Sequence, residues 1–213
     1  MPYFKNDNCN ILFIHIPKTG GTSLEKYFSK KFDIDLDTKS LYCIDMRKID
    51  KNIKINSSLQ HMTYKQIIEH KEILNIDFDN IEIISIVRNP YKRIISDLFY
   101  FKLIKINSSK EEVYEVIQKY IISTKYDNHN LPQYIFVTDD NKELIENINI
   151  LKTENLTNNM KEIGYEDFDR NDNKNPLEVE YLSYLNNESF EFINNFYDYD
   201  FELFNYDKII EVQ

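Results

Sequence analysis

Two short apolar runs in this chain are each followed by a polar turn and then by residues at helical spacing. The first is Ile11 to Ile16 (ILFIHI). An unbroken apolar run of this length predicts a strand buried on both faces, as in a parallel sheet. It ends at Pro17-Lys18-Thr19-Gly20-Gly21, after which Leu24, Tyr27 and Phe28 line one side of a predicted helix over Thr22 to Lys30. The second run, Ile81 to Val87 (IEIISIV), leads through Arg88-Asn89-Pro90 into a helix over about Tyr91 to Ile104. Asn89 is a favoured N-cap residue, and Pro90 suits the first helical position. Ile94, Ile95, Leu98, Phe99 and Phe101 supply most of the buried face.

Elsewhere the pattern predicts helices over Met62 to Leu74 and Glu111 to Ser123, and strands over Tyr134 to Thr138 and Ile148 to Lys152. Helices at about Leu177 to Leu185 and Ser189 to Tyr197 follow, then an aromatic tail, DFELFNY. The Asp- and Asn-rich stretch from Asp167 to Asn175 reads as a mobile loop. There is no internal repeat and no linker, so residues 1–213 are expected to form one α/β domain. Alternating strands and helices imply a central parallel sheet with helices on both faces and ligands at the strand C-terminal ends.

Charge narrows the partners. A net charge of -10 argues against broad nucleic-acid binding, which needs an extended basic surface. No apolar run approaches the roughly 20 residues that cross a bilayer, and the N-terminus lacks a signal-peptide pattern. A cytoplasmic protein without a transmembrane segment is the expectation. Cys9 and Cys43 form neither a metal-ligand spacing nor a disulfide framework, and read as reduced thiols.

Glycine is scarce, with three in the chain, and Gly20 and Gly21 are adjacent. Such a pair marks backbone that a side chain would obstruct. IPKTGGTS (Ile16 to Ser23) therefore has the makings of an anion cradle. Backbone N–H groups converge there, a helix presents its positive end, Lys18 adds charge, and Thr22 and Ser23 add hydroxyl donors. It is not the nucleotide-triphosphatase loop, because the lysine precedes the glycines.

IPKTGGTS resembles the 5'-phosphosulfate loop of sulfotransferases, in the form found in the carbohydrate 2-O- and 4-O-sulfotransferase-like group. VRNPYKRIISDLFYF (Val87 to Phe101) resembles that group's 3'-phosphate segment, an Arg-x-Pro-x-x-Arg followed by a serine on a helix. NHNLPQYIF (128–136), LKTENL (151–156) and DFELFNY (200–206) resemble three further family stretches. The resemblance implies a P-loop-type three-layer α/β sandwich with a central parallel sheet, and 3'-phosphoadenosine-5'-phosphosulfate (PAPS) as the sulfuryl donor. Carried over by position, Lys18, Thr19, Gly20, Gly21, Thr22 and Ser23 hold the 5'-phosphosulfate, and Arg88 and Ser96 the 3'-phosphate. Arg93 either supports the helix or the phosphate or is a solvated surface arginine. Lys174 reads as a solvated loop lysine that could close over the nucleotide. The chain lacks the membrane anchor and lumenal cysteines of Golgi relatives, and its compressed intervals put a long glycan acceptor in doubt.

Among the histidines, His15 reads as a core residue with a hydrogen-bond partner, and His70 as a surface residue. His61, in SLQHMTY, matches the position where 2-O-sulfotransferase-like proteins carry a histidine ahead of a short helix. It is the expected catalytic base, with an ordinary pKa near about 6.5, and His129 is the other candidate. The expected reaction is in-line attack of an acceptor hydroxyl, on a carbohydrate or small metabolite, with Lys18 at the leaving oxygen and no metal. Two other classes keep the cradle. A P-loop-like nucleotide kinase should show Gly-Lys-Ser/Thr and a magnesium carboxylate, and a non-catalytic nucleotide- or glycan-binding protein needs no base.

Overall fold

The computed structural model describes residues 1–42, 55, 57–169 and 180–210. The Asp167 to Asn175 loop from position 170 onward, Lys174 and Cys43 lie outside the described residues.

The sheet has the order β1 (Tyr3–Asn6), β2 (Cys9–Ile14), β3 (Glu82–Val87) and β4 (Ile148–Lys152). β2, β3 and β4 are parallel, with Ile14 opposite Ser85 and Val87 opposite Lys152. The sheet is not wholly parallel, because β1 pairs antiparallel with β2 along its edge. This hairpin is absent from the pattern reading. Its two strands are joined across Asp7-Asn8, and the Asn6 carbonyl Oδ1 accepts from Asn8 N (2.8 Å) and Cys9 N (3.1 Å). Such an Asx turn sets the hairpin by local hydrogen bonding rather than by apolar alternation.

Alternate side chains of β2 feed two layers. Leu12 and Ile14 pack with Leu59, Met62, Ile67 and Phe136. Ile11 and Phe13 pack on the other face with Leu24 and Phe28 of α1 (Gly21–Phe32) and Met160 of α7 (Leu156–Glu162). Helices thus flank both faces, as the apolar runs implied. A third cluster joins α4 (Pro90–Tyr100), α5 (Lys110–Ile121) and α8 (Asn187–Phe196) through Ile94, Leu98, Ile117 and Phe190.

Several boundaries depart from the periodicity. The helix expected over Met62 to Leu74 begins after a 3-10 turn (Leu59–His61) and divides at His70 into α2 (Tyr64–Glu69) and α3 (Lys71–Leu74). α4 stops at Tyr100, because Lys102 turns into the left-handed region (φ 57). Tyr134 to Thr138 is not a strand but a short helix, α6 (Tyr134–Val137). A four-residue apolar run does not distinguish strand from helix by period. A carboxylate from α9 (Asp198–Leu203) decides it: Asp200 Oδ2 accepts from Gln133 N and Oδ1 from Tyr134 N, both at 2.8 Å. Of the helix expected over Leu177 to Leu185, the described part is a 3-10 turn, Tyr181–Tyr184.

Gly21 shows why the glycine pair stands where it does. His15 is 5% exposed, and its Nδ1 pairs with Glu25 Oε1 at 2.6 Å. Gly21 and Glu25 are one helical turn apart, so the ring that meets one lies over the other. A Cβ at Gly21 would come within 2.5 Å of His15 Cδ2 and Nε2. Gly21→Ala is therefore expected to destabilise the fold by about 1–3 kcal/mol, the usual cost of overpacking. Urea unfolding measures it, and an unchanged midpoint would show that the ring can move aside.

Candidate functional site

Parallel strands bring the loop after β2, the Arg88 peptide after β3 and Thr153 after β4 to one edge of the sheet. Thr153 Oγ1 spans them, within 2.5 Å of Thr19 O and 3.0 Å of Val87 O. In the loop, Lys18 (φ 63) and Gly20 (φ 88) are both left-handed, a conformation that costs little only for glycine. Gly20 is the N-cap of α1, and no side chain caps that helix. Thr63, Asn89, Ser109 and Asn186 cap α2, α4, α5 and α8 through their side chains, whereas α3, α6, α7 and α9, like α1, have no side-chain cap. What sets α1 apart is the left-handed Lys18 and Gly20 that lead into it, and a helix N-terminus entered this way suits an anion. Thr19 is fully buried and its hydroxyl donates to Ile16 O (2.8 Å), so its side chain shapes the loop from inside. Thr22 is half-buried, and Ser23 N donates back to Gly20 O (3.2 Å).

Lys18 and Arg88 meet. Arg88 Nη1 donates to Lys18 O (3.0 Å), and its guanidinium lies 5.0 Å from the Tyr181 ring centroid. Lys18 Nζ sits 4.3 Å above the ring of Tyr100, which is 59% exposed. Burial holds the Lys18 ammonium below its usual pKa, and Arg88 pushes the same way against Asp97. Two neighbouring cations, one of them desolvated, gain from an anion placed between them.

The distant motif stretches converge on Arg88. Gln133 Oε1 accepts from Arg88 N and Gln133 Nε2 donates to Arg88 O, both at 2.9 Å. Asp200 holds Gln133 in turn, and burial pushes the Asp200 carboxyl up to about 6. Glu154 Oε1 accepts from Asn89 N (3.0 Å) and Oε2 from Tyr206 OH (2.9 Å).

Arg93 is neither a surface residue nor a free anion ligand. It is 2% exposed and donates to three carbonyls: Pro17 O (3.0 Å), Leu131 O (2.9 Å) and His129 O (2.6 Å). It stitches the cradle loop to the loop that carries His129. Ser96 lies half-buried on α4 and makes no hydrogen bond with Arg88. Cys9 is a free, half-buried thiol, and His70 is half-buried with Nδ1 donating to Gln66 O (2.9 Å).

Three histidines stand edge to face in a row, with ring centroids 5.4 Å apart from His15 to His61 and 4.8 Å from His61 to His129. Each presents Nδ1 to its own carboxylate: His15 to Glu25 (2.6 Å), His61 to Asp127 (2.7 Å), His129 to Asp97 (2.7 Å). His129 is buried and stacks on Tyr100 at 5.5 Å, which ties the histidine row to Lys18. Burial pushes the His61 imidazolium down to about 4, against its bond to Asp127, and His15 and His129 push it further down. This departs from the ordinary value expected from sequence. The ring is neutral at pH 7. His61, Asp127 and His129 bring ligand-type atoms within 4.8 Å of one another. Both Asp127 oxygens accept hydrogen bonds, Oδ1 from Ser58 N and Oδ2 from Ser58 Oγ and His61.

The carboxylates that orient these rings were not singled out in the sequence. Asp97 and Asp127 lie inside or beside the motif stretches, but nothing in their spacing pairs them with a histidine. The same holds for Tyr100 beneath Lys18.

Among known proteins, the sequence profile of the Sulfotransferase family matches residues 1–136. The chain belongs to that family and is a transferase of sulfuryl groups. The match takes in the cradle loop, His61, Arg88, His129 and Gln133, and ends before the LKTENL and DFELFNY stretches. No curated protein and no solved structure matches the chain. Among the described residues, no helix is long and apolar enough to cross a membrane.

The Arg88 clamp yields a test. In Asp200→Asn one of the two accepting oxygens becomes an amide nitrogen, so either Gln133 N or Tyr134 N is left without its partner. The expected loss is about 1–3 kcal/mol, the cost of one unsatisfied buried group. Urea unfolding measures it, and amide exchange at Arg88 should quicken as Gln133 loosens.

Proposed function

We propose that the protein transfers a sulfuryl group from PAPS to a hydroxyl on a carbohydrate or small metabolite. One observation carries the reading: α1 lacks a side-chain cap and is preceded by a left-handed Lys18-to-Gly20 turn against which Arg88 is fixed. In this reading the residues from Lys18 to Ser23 receive the 5'-phosphosulfate. Thr19 contributes through the loop it shapes rather than through its committed hydroxyl. Arg88 and Ser96 receive the 3'-phosphate.

The acceptor oxygen forms its bond to sulfur as the bond from sulfur to the bridging oxygen breaks, and 3',5'-ADP leaves with that oxygen. Lys18, already short of solvent, offsets the charge gathering there. The proton of the acceptor hydroxyl passes to neutral His61. His129 is the more enclosed of the two candidate rings, and its carbonyl is also held by Arg93. That favours His61 as the ring that meets an acceptor.

The donor is tested by thermal melting. 3',5'-ADP should raise the melting temperature, and ATP with magnesium much less, because a ligand selective for the native state stabilises it. Arg88→Ala should weaken 3',5'-ADP about tenfold to a hundredfold and 5'-AMP less, because only the former carries the phosphate that Arg88 is proposed to grip, while both feel the loosened Lys18 turn. A larger response to magnesium-ATP would favour the kinase instead.

The base is tested by kinetics. Activity should fall only as the pH drops through about 4, where His61 takes up a proton, and should survive a chelator. His61→Ala should lower turnover by about 10²–10⁴ and leave 3',5'-ADP affinity intact. Near-normal turnover in His61→Ala, with loss in His129→Ala, would transfer the role to His129.

A further inference from the structure

We propose that Asp127 is the positioning residue for this transfer, holding His61 with its proton on Nδ1 so that Nε2 is the proton acceptor. The inference rests on the reading of His61 as the base.

Asp127 belongs to no helix or strand and stands in the turn before His129. It and Asn128 are consecutive left-handed residues (φ 49 and 63). Asp and Asn tolerate that conformation better than other side chains, yet two in succession persist only where the surroundings hold them. What holds them here is one target. Asp127 Oδ1 accepts from Ser58 N, and Oδ2 accepts from Ser58 Oγ (2.8 Å) and His61 Nδ1 (2.7 Å). Asn128 Nδ2 donates to His61 O (2.9 Å). Both strained residues therefore grip the short Ser58–His61 turn, one at the ring and the other at the main chain.

The proton follows from the inventory of donors. An ionised carboxylate only accepts, so a neutral His61 facing it at 2.7 Å carries its proton on Nδ1 and its lone pair on Nε2. Although burial pushes Asp127 up, the His61 bond holds it below the usual carboxylate value, which keeps it an acceptor. The other rings do not compete for this carboxylate, because Glu25 and Asp97 take the Nδ1 atoms of His15 and His129. As the transfer proceeds and His61 becomes an imidazolium, the same carboxylate lies against the new charge.

A merely structural clasp would also join Asp127 to Ser58, so the test must read the proton itself. The full chain, with ¹⁵N-labelled histidine, is observed by long-range nitrogen–proton NMR at pH 7. Wild-type His61 is expected as the neutral Nδ1–H tautomer. In Asp127→Asn the amide can present an N–H to Nδ1 and moves the proton to Nε2. Turnover then falls a hundredfold or more, as when a histidine is left in the wrong tautomer, while 3',5'-ADP affinity stays within about twofold. An Nε2–H tautomer or an imidazolium in the wild-type protein overturns the proposal, even if the variant does not fold. So does an Asp127→Asn protein that keeps its tautomer and turnover, or one that loses nucleotide affinity as steeply as turnover. Absence of any PAPS-dependent transfer by the wild-type protein would instead overturn the base role of His61, and it is told apart because the tautomer result would stand unchanged.

Discussion

The peptide that leaves β3 at Arg88 is the constraint on which the site depends. Its N–H and C=O are both taken by the Gln133 side chain, and the next N–H by Glu154. Gln133 is fixed by Asp200 and Glu154 by Tyr206, so the C-terminal aromatic segment acts on the sheet edge from far along the chain. Thr153 ties the same edge to Thr19, and Arg88 itself reaches Lys18. Three of these bonds, Asn89 to Glu154, Thr153 to Thr19 and Arg88 to Lys18, join the end of one strand to the end of another. A shift of any strand along its neighbour would break several at once, so the spacing of the two cations is set by the register of the sheet.

Around that edge, burial and like-charge neighbours push two groups the same way, toward their neutral forms. Lys18 is desolvated and crowded by Arg88, which leaves a cation that favours an incoming anion. The imidazole of His61 is desolvated as well, and for a base the same burial favours the neutral form. Tyr100 lies between these halves, carrying Lys18 over its ring and His129 in a parallel stack. Arg93 holds them together from beneath through carbonyls of both loops, and so contributes geometry rather than a binding contact.

Much of this arrangement was legible in the chain because it depends on local, short-range chemistry. The apolar runs marked β2 and β3, Asn89-Pro90 marked the start of α4, and the rarity of glycine drew attention to the turn before α1. Sulfotransferase membership was likewise legible in the order of two motif segments, both inside the matched region. The hairpin at the N-terminus and the end of α4 were not, since each turns on one or two residues that leave the apolar period intact.

What the sequence by itself determined, then, was the kind of element at each long apolar run, the place of the glycine turn before α1 and the family. Those follow from backbone freedom, capping and side-chain periodicity, which act over a few residues. The tertiary structure alone decided that Tyr134 to Val137 is helical, because the cap comes from Asp200. It alone placed Arg93 in the interior and gave each of three histidines a carboxylate, in the case of His61 one 66 residues away. Pairings of that reach depend on how strands and loops are brought together, and no local pattern encodes them. They also decide the protonation of His61, because desolvation and a hydrogen-bond partner exist only once the chain has closed around the ring.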